Sequence, residues 1–332
     1  MRDVARAAGV STGTVSNVLN GLPTVDPDLR ERVMSAIARI GYVRNESARQ
    51  LKSGRSSTLG VVLPDAGDPF FVDVAAGVEE AANSAGYTVL TCNANGRDDR
   101  ESAYLATLEQ SRVDGIVFVS TRLSAERQAQ LNEIEQRGTP VVVIGHLFDS
   151  PELDSVTGDN YAGGRMAVQH LLEQGHRRIA LISRPDTLEA YKARSSGAHA
   201  AISEFGHSAV LQVQRVAEDS IQAGYAATLE LLNSPNAPSA VFGANHLLAL
   251  GALQASTVRG TRVPADLAIV GYDDTPYTAG AAVPITSVSQ ASVDFGVTAT
   301  GLLMDAIEGR RGAPRQLVYS PKVVVRASTT RT

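Results

Sequence analysis

Residues 2–21 read RDVARAAGVSTGTVSNVLNG, and the break at Gly9-Val10-Ser11 decides what kind of head the chain carries. Before the break, Val4, Ala5 and Ala8 share one helical face; after it, Val15, Val18 and Leu19 share another. Gly9 suits a tight turn because it reaches the left-handed region without steric cost. Ser11 stands where a side-chain oxygen can accept from the first free N–H groups of the next helix. Two short helices joined at a glycine form the helix-turn-helix pattern. A third helix follows: Asp26 caps it, Pro27 takes its first position, Leu29, Val33, Ile37 and Ile40 line one face, and Gly41 ends it. Three such helices can share one small core.

The outward residues of the second helix, Thr12, Gly13, Ser16 and Asn17 with Thr14 beside them, are short and polar. Such side chains suit the floor of a major groove, where Asn pairs with adenine and hydroxyls serve bases or phosphates. Gly13 costs about 1 kcal/mol of helix stability relative to alanine, which is easier to understand if the backbone must pass close to DNA. A helical hairpin with a merely polar outer face would carry the same residues. Charge favours the first reading: residues 1–60 hold nine Lys/Arg against five Asp/Glu, whereas the remainder holds 21 against 30. A basic head on an acidic body points the head toward a polyanion.

Residues 45–56, NESARQLKSGRS, raise a separate question. Asn45 is a good N-cap and Gly54 a plausible stop, yet only Ala48 and Leu51 between them are apolar. A helix this short is marginal alone, because nucleation costs more than so few propagation steps return. It is either a solvated linker or a helix that needs a partner to form.

From Thr58 onward, apolar strands alternate with helical stretches: TLGVVLP, YTVLTC, GIVFVS, PVVVIG, RRIALIS, VLQVQRV, SAVFGA and LAIVGY. β-branched runs with helices between them predict parallel sheets covered on both faces, and so many strands predict two lobes. Ligands of such sheets bind at the carboxyl ends of strands. Asp68-Pro69-Phe70-Phe71, Ser120-Thr121, Asn245-His246 and Asp273-Asp274 all occupy such ends, where Asp and Asn could equally be helix caps. Carboxylates and amides suit vicinal hydroxyls, and an aromatic ring suits the apolar face of a sugar.

Other functions find little support. No G-x-G-x-x-G follows a strand and no phosphate loop of the G-x-x-x-x-G-K-[ST] type occurs. The six histidines are scattered, and Cys92 is the only cysteine, so neither a zinc cluster nor an internal disulfide can form. The reading is of a non-enzyme with no catalytic residues, no cofactor and no metal. The start, MRDVARAAGV, lacks the apolar core of a signal peptide, and no apolar run approaches a membrane span. A cytoplasmic protein, with the nucleoid when on DNA and with no membrane partner, is expected.

DVARAAGVSTGTVSNVLNG, RERVMSAIARIGY and NESARQLKSGRS, followed by DPFF, RVDGIVFV, GDNYAGG, GYDD and VVVRAST, closely resemble the lactose/galactose repressor (LacI/GalR) family of bacterial transcription regulators. The resemblance implies an all-α helix-turn-helix head (1–44), a hinge helix and linker (45–57) and an α/β two-lobed periplasmic-binding-protein-like body (58–332) with two doubly wound parallel sheets. The first lobe should span about 58–157 and 290–317, and the second about 159–286 and 321–328. The implied partners are a pseudopalindromic double-stranded operator, a second copy of the chain and a small-molecule effector, most often a carbohydrate. The hinge would fold only on DNA, with Leu51 as a minor-groove wedge and Asn45, Ala48, Arg49 and Lys52 beside it. Effector contacts carry over to Phe71 with Phe70, Arg194 in KARSSG, Asn245 and Asp273, joining Ser120 at its strand end.

Several positions depart from the family pattern. His246 follows Asn245 where an aspartate is usual, Lys192 stands where arginine is frequent, and Asn17 replaces a common base-reading arginine. Only Met1 and Arg2 precede Asp3-Val4-Ala5, and no leucine-heptad tail follows RASTTRT, so a dimer is expected rather than a coil-built tetramer. A sugar-binding transport protein of the same two-lobed fold is the alternative, but it would need export; a nucleoid-type DNA binder would not need the body.

Overall fold

The structure, a computed structural model, describes residues 1–19, 21–42, 56–149, 152–206 and 208–330. Asn45, Ala48, Arg49, Leu51 and Lys52 lie outside the described residues. The chain forms two compact units, Met1–Ser56 and Ser57–Thr332.

In the head, α1 (Arg2–Ala8), α2 (Thr12–Leu19) and α3 (Pro27–Ile40) pack around Val4, Val15 and Val33, which are fully buried, with Ala5, Ala8, Val18 and Ala36 beside them. Gly9 takes the left-handed conformation at φ 63° and ends α1. Ser11 Oγ accepts from Thr14 N at 3.0 Å, and the Asp26 carboxylate accepts from the N–H groups of Asp28 and Leu29. Two arginines of α3 reach back to α1: Arg32 donates to the Ala8 carbonyl at 2.7 Å and Arg39 to that of Ala7 at 3.0 Å. Cations there also complement the negative end of the helix dipole. Ile40 departs from the expected buried face and is 41% exposed. At 14 residues α3 outlasts its partners of 7 and 8, so its core contact runs through Val33, Ala36 and Ile37 and its last turn extends beyond them.

The body begins with β1 (Thr58–Leu63), α4 (Pro69–Ser84), β2 (Thr88–Asn93), α5 (Asp98–Gln110), β3 (Gly115–Val119), α6 (Ala125–Gln136), β4 (Val141–Ile144) and β5 (Asp154–Gly158). It passes to a second lobe of α7 (Asn160–Glu173), β6 (Arg178–Ser183), α8 (Glu189–Phe205), β7 (Val210–Arg215), α9 (Ile221–Asn233), β8 (Ala240–Gly243), α10 (His246–Arg259), β9 (Ala268–Tyr272), α11 (Pro276–Ala279) and β10 (Thr286–Ser289). It returns for α12 (Ser292–Ile307) and β11 (Gln316–Tyr319), then crosses again into β12 (Lys322–Val324).

The first sheet has the order β2-β1-β3-β4-β5-β11 with every pair parallel; the second has the order β7-β6-β8-β9-β10-β12. Alternation along the strands sends side chains into different cores. Leu59, Val61 and Leu63 of β1 pack with α4 and α12, whereas Val62 faces α5 and α6. In β6, Ile179 and Leu181 meet α7 and α8, and Ala180 and Ile182 meet α9 and α10. One strand departs from the parallel expectation: β12 runs antiparallel to β10. Both β10 and β11 run toward the lobe junction. With only Ser320-Pro321 between β11 and β12, the chain enters β12 from that junction and must run away from it.

The α7–α8 crossing is tight because both helices carry glycine at the contact. A Cβ on Gly164 would lie 2.0 Å from the Arg194 carbonyl oxygen, and one on Gly197 would lie 2.0 Å from that of Tyr161. This backbone approach sets where Arg194 projects.

Candidate ligand cleft and nucleic-acid interface

The carboxyl ends of both parallel sheets open on a cavity of about 560 Å³ lined by residues of both lobes. Phe70, Phe71, Ser120, Arg194, Asn245 and Asp273, all expected from the sequence, contribute to its wall. Parallel strands deliver their following loops to one edge of the sheet, which is why residues so far apart in sequence meet there.

Arg194 is the anchor of the second lobe. It is 6% exposed; its Nε donates to Asn160 Oδ1 at 2.9 Å and its Nη1 to the Ala244 carbonyl at 2.6 Å. Its Nη2 lies 3.8 Å from Asp273 Oδ1, and Tyr191 and Tyr272 present rings to the guanidinium. Burial works against the charge, but Tyr272 and Asp273 outweigh it and hold the guanidinium pKa above its ordinary value. Asp273 is the counterpart. It accepts from Gln290 Nε2 at 2.8 Å, and although burial disfavours its charge, Arg194, His246 and Gln290 hold its pKa below the usual carboxylate range. An ionised, buried carboxylate with a free lone pair is a strong acceptor for a ligand hydroxyl.

Two cavity residues are also helix caps. Asn245 Oδ1 accepts from Leu247 N at 2.7 Å and starts α10, which leaves its amide NH2 as the group to offer a ligand. Asp68 accepts from Phe70 N at 2.8 Å and starts α4; burial pushes its pKa up to about 6. Capping and lining the cavity therefore coexist in the same side chains. The first lobe adds an aromatic wall, in which Phe70 meets Phe71 edge-on at 5.3 Å and Phe295 at 6.2 Å.

Sequence reading passed over several cavity residues. Asp219 pairs with Arg184 at 3.2 Å, Gln290 lies at a lobe crossing, and Phe295 comes from α12. Asn160, which the sequence places near a crossover as a hinge or pocket residue, lines the cavity as well. Two signals were available: Asp219 follows the carboxyl end of β7, and Tyr191 stands one turn before Arg194 in α8 and so is able to share its face. Lys192 is exposed and does not line the cavity, and His246 is fully buried behind it. Among the described residues no cluster of three or more His, Cys, Asp or Glu is arranged for a metal, and no helix is long and apolar enough to cross a membrane. Acids, amides and a guanidinium opposite aromatic faces suit a small hydroxyl-rich molecule with one apolar side.

On the head, Thr12, Gly13 and Asn17 are exposed, and Thr14 and Ser16 are half-buried. The Thr14 hydroxyl lies 2.9 Å from Ser11 Oγ and so takes part in capping α2. Nothing in the head requires glycine at position 13: a Cβ there would meet only Ser11 Oγ, at 3.5 Å. That absence of crowding agrees with a face kept bare for something outside the protein.

Comparison with known proteins agrees with this division. Residues 1–45 match the family described as bacterial regulatory proteins, lacI family, and residues 56–322 match periplasmic binding proteins and sugar binding domain of LacI family. The chain is 34% identical over 332 residues to the HTH-type transcriptional regulator DegA of Bacillus subtilis, covering 99% of this chain and 97% of that one. It is 32% identical to the transcriptional repressor CytR of Escherichia coli K12, covering 99% and 96%. Among solved structures it is similar to a Lac repressor dimer bound to operator and the anti-inducer ONPF, with TM-score 0.87, 27% identity and coverage of 99% and 98%. It is also similar to a transcriptional regulator CelR–cellobiose complex, with TM-score 0.73, 32% identity and 98% of each chain covered.

Proposed function

This chain belongs to the LacI family of bacterial regulatory proteins, and from that premise we propose a cytoplasmic homodimeric repressor whose effector is a carbohydrate or sugar derivative. The protein is a ligand-regulated, DNA-binding transcriptional regulator. In our reading each head lays α2 in the major groove of one half of a pseudopalindromic operator. Asn17 and Ser16 face base edges, with Thr12, Gly13 and Thr14 at the backbone. Residues 45–57 form the hinge, where Leu51 acts as the wedge and Asn45, Ala48, Arg49 and Lys52 flank it. The body binds and does no chemistry.

The observation that carries the effector assignment is the convergence of Asp273, Arg194 and Asn245 from one lobe with Phe70, Phe71 and Ser120 from the other on one cavity. Charged and amide groups beside aromatic rings match a pyranose or furanose, whose hydroxyl edge and C–H face differ in polarity. Binding that alters the angle between lobes would be passed to the hinges, with a coupling on the order of 1–3 kcal/mol. Relatives support the class: one similar structure is a cellobiose complex, and another is described with bound ribose.

The test uses the full-length protein in two arms. Selection from random duplexes should enrich one pseudopalindrome, and enrichment of no sequence would overturn the regulator reading. A thermal-shift screen of sugars, sugar phosphates and nucleosides should respond to a sugar, since a ligand at 100 times its Kd stabilises the native state by ~2.7 kcal/mol. A response to nucleosides alone would overturn the carbohydrate assignment.

A further inference from the structure

His246 is fully buried in the first turn of α10 and lies between two carboxylates that belong to different lobes. Its Nε2 is 3.8 Å from Asp68 Oδ1, at the head of α4 in the first lobe. Its Nδ1 is 3.5 Å from Asp273 Oδ2, past the end of β9 in the second. Neither ring nitrogen makes a hydrogen bond among the described residues. A buried imidazole with two unmade hydrogen bonds is costly, and an apolar side chain of similar size would fill the space without that penalty. The arrangement makes physical sense if the ring carries charge.

We propose that His246 is a proton-carrying link across the cleft: as imidazolium it ties Asp68 of one lobe to Asp273 of the other, and its proton acts as a second ligand of the body. The link itself is a property of the two lobes. Only its consequence for effector response rests on the reading of the cleft given above.

The surrounding charges decide whether a proton stays. Against it stand burial and the positive end of the α10 dipole, since His246 is at the helix start. For it stand Asp273 from the β9–α11 loop, Asp68 from the β1–α4 loop with Asp65 behind it, and Asp219 from the β7–α9 loop. Arg194 and Gln290 engage Asp273, and Arg184 engages Asp219, so both carboxylates are shared. Burial lowers the ring's proton affinity, but the three aspartates outweigh it and its pKa rises above the ordinary value. Asp68 moves upward too, to about 6, chiefly by burial.

These directions define a window. Below about pH 6 Asp68 takes up a proton and the first-lobe half of the link weakens. As pH rises through the elevated pKa of His246, the ring loses its charge and both halves weaken. The link is therefore fullest between the Asp68 value of about 6 and the raised value of His246 and falls away on both sides, and the coupled groups titrate as a unit. A ligand that favours closed lobes favours the protonated ring, so on the alkaline side it should bind with proton uptake.

The deciding measurement is an NMR titration of histidine rings in the full-length, ligand-free protein, with His246→Asn identifying the resonance. His246 should titrate above the ordinary histidine value of ~6.5, and its proton affinity should fall about tenfold in Asp68→Asn. Titration at or below the ordinary value, or an unchanged titration in Asp68→Asn, would overturn the link. Should Asp68→Asn fail to fold, Asp273→Asn gives the same readout from the other lobe. A double-mutant cycle of Asp68→Asn and His246→Asn in chemical denaturation should show coupling that peaks between the titrations of Asp68 and His246; coupling independent of pH sinks the proposal. No arm uses an effector, so failure here leaves the cleft assignment standing, and failure of the sugar screen leaves the link standing.

Discussion

The guanidinium carbon of Arg194 lies 3.7 Å from the centroid of the Tyr272 ring, so the cation of the cleft sits over an aromatic face. The ring covers one face of the group, and the bonds to Asn160 and Ala244 fix the direction of its donors. A planar group with donors in several directions satisfies all of these at once; an ammonium on a flexible stem does not.

Arg194→Lys should therefore behave as a disruptive change. Loss of the guanidinium donors leaves the Asn160 and Ala244 oxygens short of partners, at about 1–3 kcal/mol each. Denaturant titration should show the loss, and calorimetry should show effector affinity reduced more than tenfold. Unchanged affinity would remove Arg194 from the ligand contacts.

Asp273→Asn isolates charge from shape. Asp273 sits at φ 77°, a left-handed conformation that asparagine tolerates, so this variant adds little backbone strain. Effector binding should weaken while the ligand-free protein still binds operator. The depressed pKa of Asp273 means that its contribution to stability is present above the ordinary carboxylate pKa and disappears as pH falls through the lower folded value. The acid limb of the wild-type stability profile should accordingly flatten in Asp273→Asn.

Gly164→Ala and Gly301→Ala make a matched pair. At Gly164 the added methyl would meet the Arg194 carbonyl at 2.0 Å, forcing α7 from α8, whereas at Gly301 it would meet no described atom within 4 Å beyond its own stretch of helix. The first should lose about 3 kcal/mol of stability by overpacking, together with ligand affinity. The second should gain up to about 1 kcal/mol from helix propensity. Equal effects in thermal melts would disprove the role given to the crossing.

Asn17→Ala tests the head. If Asn17 reads a base, the variant should lose ~1–3 kcal/mol of discrimination at one position in each half-site. Selected-operator sequencing distinguishes this from a uniform loss across sequences, which would demote Asn17 to a phosphate contact.

Leu51→Ala tests the hinge assignment, which rests on sequence alone. Removing an intercalating wedge should reduce operator bending and weaken specific binding by a few kcal/mol at most, with effector affinity unchanged. A bend angle equal to wild type would contradict the wedge.

The head was legible because its signals are local. Gly9, Ser11, Asp26 and Gly41 act on N–H and carbonyl groups a few residues away, and each does so in the structure. Ile40 shows the limit, since periodicity gives a face but not the length of the partner that covers it. In the body, Asp273, Asn245 and Ser120 could be picked because strand ends share one edge of a parallel sheet. Asp219, in the loop after β7, obeys the same rule. Gln290 and Phe295 could not be picked, because they reach the cavity through a crossing and helix packing that no period encodes.

What the sequence by itself determined is the division into a three-helix basic head and an alternating α/β body, through patterns set by neighbouring residues along the chain. Only the tertiary structure decided that Asp68 and Asp273 flank His246, and that β12 turns against its sheet. Those outcomes depend on where the chain crosses between lobes, and the electrostatics of a buried ring depend on whichever charges those crossings bring within a few ångströms.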